Sequence, residues 1–330
     1  MALLLTEADV RSLLTMTVAL EAVEAAFRRL ADGQALVHSR QRLHLPEKSY
    51  LHYMAAGDAA GGYMGMKIYT SSPEGLRFLV PLFRAASGEL LALIEADYLG
   101  QMRTGAATGL ATKLLSRLDA RSVGIIGTGL QARTQLEAVA AVRKIESVYA
   151  YGRDAQHQAE FAREMKSRFG VPVRASGTPE EVVRQADILI TATTASQPVV
   201  EGRWLRPGTH INAIGANFPQ KRELDAEAIE RSDLIFVDSR EQARIEAGDL
   251  IHAFAENPVR WNLVKELAEL VSGRVAGRST RKQITLFKSS GIAIEDVVTA
   301  GRVYELALGR GIGTEVKFWE MTKEARRTRS

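Results

Sequence analysis

Six short apolar runs, separated by helical segments, constrain the fold of this chain more than any other feature. They begin after Arg121 and read SVGIIG, SVYAYG, VPVRA, DILITAT, HINAIG and DLIFVD. Short apolar runs that alternate with longer amphipathic segments are typical of βαβ units, in which helices connect parallel strands. The pattern therefore predicts an α/β fold with a doubly wound parallel sheet of the Rossmann type.

The first apolar run ends in a G-x-G-x-x-A motif, GTGLQA at residues 127–132, and a helical segment follows. In that context Gly127 permits a tight turn, and Gly129 lets the backbone approach a pyrophosphate at the helix N-terminus. We therefore predict that Gly127, Gly129, Leu130 and Gln131 bind a dinucleotide. A glycine turn without a ligand is the alternative.

The end of the second run bears on the choice of cofactor. NAD-specific sites place an acidic residue about 20 residues after the glycine motif, where it binds the ribose hydroxyls. Here Gly152 is followed by Arg153, and an arginine can pair with the 2′-phosphate of NADP(H). We predict that both residues bind the cofactor, with NADP(H) preferred. NAD(H) stays possible, because Asp154 could bind the ribose or could cap the next helix.

The segments outside the apolar series predict a second, α+β domain. Before residue 120, SYLHYMAA and GYMGMKIYT alternate like strands, and SSGIAIEDVVTAGRVYELALGRG near the C-terminus is one amphipathic helix. We predict a Rossmann dinucleotide-binding domain at 120–294. We predict that residues 1–119 with 295–330 form the second, α+β domain.

Composition narrows the class of protein. The 330 residues include no cysteine, which excludes disulfides and thiolate chemistry, and the formal net charge of +4 argues against a nucleic-acid partner. The histidines show no ligand-like spacing, so no metal site is predicted. No stretch reaches the roughly 20 apolar residues of a membrane span, and we expect a cytoplasmic protein with no membrane partner.

Motifs along nearly the whole chain resemble the ornithine cyclodeaminase/μ-crystallin family. They are SRQRL, GMKIYT, MRTGAA, GTGLQA, AIGANFPQKRELD and SSGIAIEDVVTAG. The family includes ornithine cyclodeaminases, archaeal-type alanine dehydrogenases, ketimine and pyrroline-carboxylate reductases, and μ-crystallin. The resemblance implies an NAD(P)-dependent enzyme whose small α-imino or α-amino acid substrate binds in an interdomain cleft. It also implies that residues 1–119 with 295–330 are the substrate-binding and dimerisation domain, through which a homodimer forms.

The resemblance assigns substrate-side roles to three basic residues. Arg40 matches the arginine that holds the substrate carboxylate, a role that a guanidinium fork suits, and Arg42 is the alternative holder. Lys67 matches a lysine near the reacting imine carbon. Burial would lower its pKa and fit it for proton transfer, whereas a solvent-facing strand lysine is the alternative. Arg103 matches an arginine that contacts both substrate and cofactor, or it only stabilises a helix start.

Further positions match residues around the cofactor. Ser290 matches a substrate-side position, and the matches on the cofactor side are Thr193, Gly215, Asn217, Lys221 and Ser289. Each hydroxyl has a structural alternative: Thr193 could bond to backbone at a strand end, and either serine could cap a helix. Lys221 could simply be solvated.

Asn217 departs from the pattern of the cyclodeaminases and alanine dehydrogenases, which carry an aspartate at this position. An amide donates and accepts hydrogen bonds but cannot act as a general base. Reduction of a preformed imine does not need that base, and μ-crystallin-like reductases also lack the aspartate. Asn217 therefore favours imine reduction, in which it would orient the substrate or a water. A simple turn-forming asparagine is the alternative.

The leading hypothesis is an NAD(P)-dependent oxidoreductase that reduces small, cyclic α-imino acids, as ketimine and pyrroline-2-carboxylate reductases do. The alternatives within the family are an ornithine cyclodeaminase and an alanine dehydrogenase. A non-catalytic protein that binds a nucleotide or small ligand is the alternative of another class. Retention of Lys67 and Arg103 argues against it.

Overall fold

The structure is a computed structural model that describes residues 1–46 and 48–318. The end of the predicted 295–330 segment, beyond residue 318, lies outside the described residues. The N-terminal part alternates helices with a set of long strands. Its strands are β1 (Ala2–Leu5), β2 (Ala35–Val37), β3 (Gln41–Leu45), β4 (Ser49–Asp58), β5 (Tyr63–Ser72), β6 (Gly75–Arg84) and β7 (Leu90–Glu95). Its helices are α1 (Glu7–Leu13), α2 (Met16–Ala31) and α3 (Asp97–Leu115).

The middle of the chain alternates strands with shorter helices. Its strands are β8 (Ser122–Ile126), β9 (Ser147–Tyr151), β10 (Val173–Ala175), β11 (Ile188–Thr191), β12 (His210–Ala213), β13 (Leu234–Val237), β14 (Val264–Glu266) and β15 (Thr285–Lys288). Its helices are α4 (Leu130–Val142), α5 (Ala155–Phe169), α6 (Pro179–Gln185), α7 (Ala226–Glu230), α8 (Arg240–Glu246), α9 (Gly248–Ala253) and α10 (Leu267–Val271). Helix α11 (Ala293–Arg310) and strand β16 (Thr314–Val316) complete the described chain.

The middle strands form one parallel sheet in the order β10-β9-β8-β11-β12-β15-β13-β14. Every residue of β11, β12 and β15 is buried, as expected for parallel strands covered by helices on both faces. The predicted Rossmann fold is therefore confirmed. The six predicted runs correspond to β8–β13, but β14 and β15 were missed. Strand β14 has only three residues, two of them charged, and a polar stretch precedes the short ITLFK run of β15, so neither strand gave an apolar signal like the other six.

The long strands form a second sheet in the order β16-β1-β7-β6-β5-β4-β2, with β3 also paired to β4. Its pairs are antiparallel except for β1 with β7, and the hydrophobic cluster beneath it includes α2, α3 and α11. This is the mixed α+β part that was predicted. The division at 119–120 and 294–295 stays a prediction, and the residue ranges of the two sheets support it.

Helix α3 joins the two parts and owes its position to small residues. A Cβ added at Gly105 would lie 2.6 Å from the Thr134 carbonyl oxygen, and one at Gly109 would lie 3.1 Å from the Ala138 oxygen. Glycine therefore lets α3 lie directly against the backbone of α4. In the described part of the chain, no helix has the length and apolarity that a membrane span requires.

Candidate functional site

The candidate site follows the carboxyl edge of the parallel sheet. Because β8, β11, β12 and β15 are parallel neighbours, the loops that follow them emerge at the same edge. These loops contain Gly127, Thr193, Asn217 and Ser290. The fold therefore brings together side chains that lie more than 150 residues apart in the sequence.

A cleft of about 390 Å³ opens between the loops after β8, β9 and β11. Five of the predicted cofactor residues line it: Gly127, Gly129, Gly152, Arg153 and Thr193. Gly127 has a φ of +99°, and a Cβ there would collide with the Ala192 carbonyl oxygen, so the turn requires glycine. A Cβ at Gly129 would meet no described atom within 4 Å, which leaves open space for a ligand against the backbone.

The glycine loop leads into α4, whose N-cap Gly129 provides no side-chain cap. The first-turn N–H groups of this helix therefore remain available to an anion such as a pyrophosphate. Leu130 is exposed at the helix start, and the Gln131 side chain is partly buried. Arg133 donates to the carbonyl oxygens of Thr128 and Gly129 at 3.1 and 3.0 Å, and these bonds stabilise the glycine loop. This cradle fits a dinucleotide.

Arg153 and Asp154 stand at the far end of the cleft, and both are exposed. Asp154 is the N-cap of α5, and its carboxylate accepts a hydrogen bond from the His157 N–H at 2.8 Å. The helix-capping alternative for Asp154 is therefore confirmed. Asp154 is therefore engaged in capping a helix, whereas the neighbouring Arg153 side chain lines the cleft without capping one.

A buried charge cluster forms where α3 and α11 meet β5. The Lys67 ammonium lies 3.0 Å from Asp296 Oδ1, which also accepts from Arg103 Nε at 3.1 Å. Arg103 Nη1 donates to Glu295 Oε2 at 2.5 Å. Lys67 is only 3% exposed, so the solvent-facing alternative for it is wrong. Burial lowers the pKa of Lys67 to about 8, and the Asp296 carboxylate limits the decrease.

Arg40 and Arg42 share a second buried carboxylate, Glu246, at the end of α8. Arg40 Nη2 also donates to the carbonyl oxygens of Ser290 and Gly291, at 3.0 and 3.2 Å. Its Nε is buried without a partner among the described residues. The Rossmann part therefore fixes the Arg40 guanidinium while leaving one donor unused.

The two serines after β15, Ser289 and Ser290, differ in the hydrogen bonds of their hydroxyl groups. The Ser289 hydroxyl and the N–H groups of Ser290 and Gly291 all donate to the Asp238 carboxylate. The Ser290 hydroxyl is buried with no partner in the described structure. Neither serine caps α11, whose N-cap is Ile292, so the helix-cap alternative is wrong.

Thr193 and Gly215 both bind Glu223. The Thr193 N–H and hydroxyl donate to Glu223 Oε1 at 2.7 and 2.8 Å, and the Gly215 N–H donates to Oε2 at 2.7 Å. The Thr193 hydroxyl therefore points at a buried carboxylate, although other atoms of the residue line the cleft. The Thr193 hydroxyl also accepts a hydrogen bond from the Ala195 N–H at 3.2 Å, so the alternative of a strand-end hydroxyl bonded to backbone is confirmed.

Asn217 belongs to the loop after β12, as predicted, and is partly buried. Its carbonyl oxygen accepts a hydrogen bond from Arg42 Nη2 at 2.9 Å. The neighbouring Phe218 ring lies 4.4 Å from the Arg42 guanidinium carbon and 5.2 Å from the Lys221 ammonium. The loop after β12 is therefore linked through Asn217 to Arg42 of the N-terminal part.

A cross-strand row flanks Lys67 on the same face of its sheet. Arg42 pairs with His52, His52 with Tyr69, and Tyr69 with Phe78. The His52 and Tyr69 rings stack with centroids 4.2 Å apart. Burial lowers the pKa of His52 to about 4, and the two nearby arginines add to the shift, so the row carries a neutral imidazole near pH 7.

The sequence did not point to the carboxylates of the site: Asp238, Glu223, Glu246, Glu295 and Asp296. Two adjacent acids inside the apolar run IAIEDVV were a usable signal for Glu295 and Asp296. Glu246 gave none, because an acid in a short amphipathic helix normally faces solvent. In the described ranges, no group of three or more His, Cys, Asp or Glu residues is placed to hold a metal.

Known proteins resemble this chain over most of its length. The chain is 36% identical over 317 residues to a Δ1-pyrroline-2-carboxylate reductase of Bacillus cereus, covering 93% of this chain and 97% of the relative. The solved Δ1-pyrroline-2-carboxylate reductase of Thermococcus litoralis, in complex with NADH and L-proline, superposes with a TM-score of 0.92 at 40% identity. That match covers 95% of this chain and 100% of the solved one.

An archaeal alanine dehydrogenase dimer with bound NAD is also similar, with a TM-score of 0.91 and 36% identity over 96% of this chain and 99% of its own. A family model, that of the ornithine cyclodeaminase/mu-crystallin family, matches residues 1–311. Family, fold and the prediction of an enzyme are thereby confirmed. The chain belongs to the ornithine cyclodeaminase/mu-crystallin family.

Proposed function

We propose that this protein is an NAD(P)-dependent oxidoreductase that reduces small α-imino acids, cyclic ones above all, to α-amino acids. The observation that carries the proposal is the buried group of Arg40, Lys67 and Arg103, held in place by buried carboxylates. The relatives that reduce Δ1-pyrroline-2-carboxylate support the same chemistry.

Arg40 binds the substrate carboxylate. Its Nε donor is buried and unused, and an unpaired donor in a buried site costs about 1–3 kcal/mol until it finds an acceptor. Glu246 and the carbonyl oxygens after β15 hold the guanidinium still, so little rotamer entropy is lost when the substrate binds. The unpartnered Ser290 hydroxyl is a second donor on this side of the site.

Lys67 supplies the proton that the imine nitrogen takes up. The pKa of its ammonium, lowered to about 8, keeps it mostly protonated near pH 7 yet able to release a proton. Asp296 holds both Lys67 and Arg103, so the two cations keep a fixed spacing. Arg103 orients the substrate beside the cofactor, and the Asn217 amide orients the substrate or a water by hydrogen bonding.

The cleft beside the glycine loop holds a nicotinamide dinucleotide, which supplies the hydride when bound. The loop, the uncapped α4 N-terminus and Arg103 bind it, with contributions from Gly152, Gly215, Lys221 and Ser289. We propose that Arg153 favours NADP(H), because its guanidinium can pair with the 2′-phosphate. NAD(H) remains usable, as in the relatives solved with NADH and NAD.

We also propose that the protein forms a homodimer through the open face of the long-stranded sheet. Tyr53 pairs with Ile68 and Ile68 with Leu79, and together they form an apolar row facing away from the buried side. Tyr53 and nearby Met64 are 40% and 37% exposed. An exposed apolar patch of this kind is typical of a protein interface. Sedimentation equilibrium tests this proposal, and a monomer at micromolar concentration would contradict it.

A panel of substrates tests the proposed reaction. NADPH and NADH oxidation is followed with pyrroline-2-carboxylate, piperideine-2-carboxylate, pyruvate with ammonia, and ornithine. We expect the cyclic imino acids to give the highest kcat/KM. Faster turnover of pyruvate with ammonia would favour an alanine dehydrogenase. Tight nucleotide binding without oxidation of any substrate would favour the non-catalytic alternative.

A further inference from the structure

The carboxylate of Glu223 accepts five hydrogen bonds inside the protein. Its carboxylate is fully buried. Oε1 accepts from the N–H and hydroxyl of Thr193, at 2.7 and 2.8 Å. Oε2 accepts from the Thr191 hydroxyl and from the Gly215 and Ala216 N–H groups, at 2.9, 2.7 and 3.3 Å.

These donors lie on two different loops of the site. Thr193 belongs to the loop after β11, which lines the dinucleotide cleft. Gly215 and Ala216 belong to the loop after β12, which continues to Asn217 and its contact with Arg42. A Cβ at Gly215 would collide with the Thr193 carbonyl oxygen and with the Glu223 carboxylate. The loops therefore touch at Glu223, and the carboxylate sets their separation.

A second buried carboxylate fixes Glu223 itself. Asp249 Oδ1 accepts from the Glu223 and Leu224 N–H groups at 2.6 and 2.9 Å, and Asp249 Oδ2 lies 3.1 Å from the Lys288 ammonium. Lys288 and Asp249 are fully buried side chains. The two bonds to Asp249 Oδ1 hold the backbone of Glu223 in place, and the Lys288–Asp249 ion pair keeps that carboxylate beside it.

We propose that Glu223 is a positioning residue that holds the loops after β11 and β12 at the spacing the dinucleotide requires, without touching the dinucleotide. The proposal rests on the function proposed above, because it assumes that the cleft binds NAD(P)(H). It predicts that loosening Glu223 weakens cofactor affinity more than it weakens the fold.

The donors around the Glu223 carboxylate make Glu223→Gln an informative test. Each carboxylate oxygen faces at least one backbone N–H, from Thr193 on one side and from Gly215 and Ala216 on the other. Whichever way the glutamine amide is turned, its NH₂ group points at a backbone donor. We expect the Kd for NADPH to rise at least about tenfold, which corresponds to about 1.4 kcal/mol.

Three further variants separate positioning from general stability. Thr191→Val removes one hydroxyl donor to Glu223 at a buried residue that does not line the cleft, and we expect a severalfold weaker Kd. Glu223→Asp should restore part of the lost affinity. Asp225→Ala is the matched control: this residue caps α7 and accepts from the Gly202 N–H, so its loss should lower Tm with an unchanged Kd.

The measurements are calorimetric titration with NADPH and with NADH, and the thermal midpoint of each variant. Wild-type affinity in both Glu223→Gln and Thr191→Val would overturn the proposal. Thr191→Val decides alone if the glutamine variant does not fold. A wild type that binds neither dinucleotide would overturn the proposed function and this inference together. A wild type that binds while both variants match it would overturn this inference only.

Discussion

The protonation of Lys67 should set the pH dependence of imine reduction. Burial shifts the pKa of this lysine from 10.5 to about 8. A group with that pKa is about nine-tenths protonated near pH 7 and about one-tenth protonated near pH 9. Reduction needs the charged form as a proton donor, so kcat should be level below about pH 8 and should fall about tenfold per unit above it. Oxidation of the amino acid needs the neutral form and should rise over the same range.

The assay is a kcat–pH profile with pyrroline-2-carboxylate at saturating NADPH, for wild type and two variants. Lys67→Met should lower kcat by about 10²–10⁴ and leave the cofactor Kd unchanged. In Lys67→Arg the guanidinium stays charged throughout, so any remaining activity should lack the decline above about pH 8. A decline that persists in Lys67→Arg would assign it to the substrate imine instead. Wild-type activity in Lys67→Met would remove Lys67 from the chemistry.

Three more predictions concern the choice of cofactor, the carboxylate that Arg40 and Arg42 share, and Asn217. Arg153→Ala should raise the KM for NADPH at least about tenfold and the KM for NADH little, because only NADPH has the 2′-phosphate; equal effects would end the case for NADP(H). Glu246→Gln leaves two cations without their buried partner, so denaturant titration should show about 3–5 kcal/mol less stability, and an unchanged midpoint would contradict this. Wild-type protein should release no proline from ornithine without added reductant, because Asn217 cannot act as a base; product chromatography that detects proline would refute this.

The sequence predicted the fold because its strongest signals are local. Each βα unit has its own apolar run and helical segment, and the glycine motif needs only the strand before it and the helix after it. Strand β15 was missed because it has only four residues and follows a long polar stretch, so it resembles any short apolar run. Its place between β12 and β13 is a property of the whole sheet.

The site was predictable where a residue conflicts with its local surroundings. Lys67 stands in an apolar strand, which indicated burial and a partner, but the partner Asp296 lies 229 residues away. Similarly, Arg40 was assigned from the family resemblance, whereas its anchor Glu246 could be found only in the folded chain. Pairings between segments far apart in the chain leave no periodic trace in either segment, so the sequence identified the cations but did not pair them with their carboxylates.

The origin of the hydrogen added to the imine carbon tests the proposed reaction most directly. Pyrroline-2-carboxylate is reduced with NADPH that carries deuterium at the transferred position, and the proline formed is analysed by mass spectrometry and NMR. We expect proline with a single deuterium at Cα, since the hydride comes from the nicotinamide and the nitrogen proton exchanges with water. Proline without deuterium at Cα, or no proline at all, would contradict direct hydride transfer in this site.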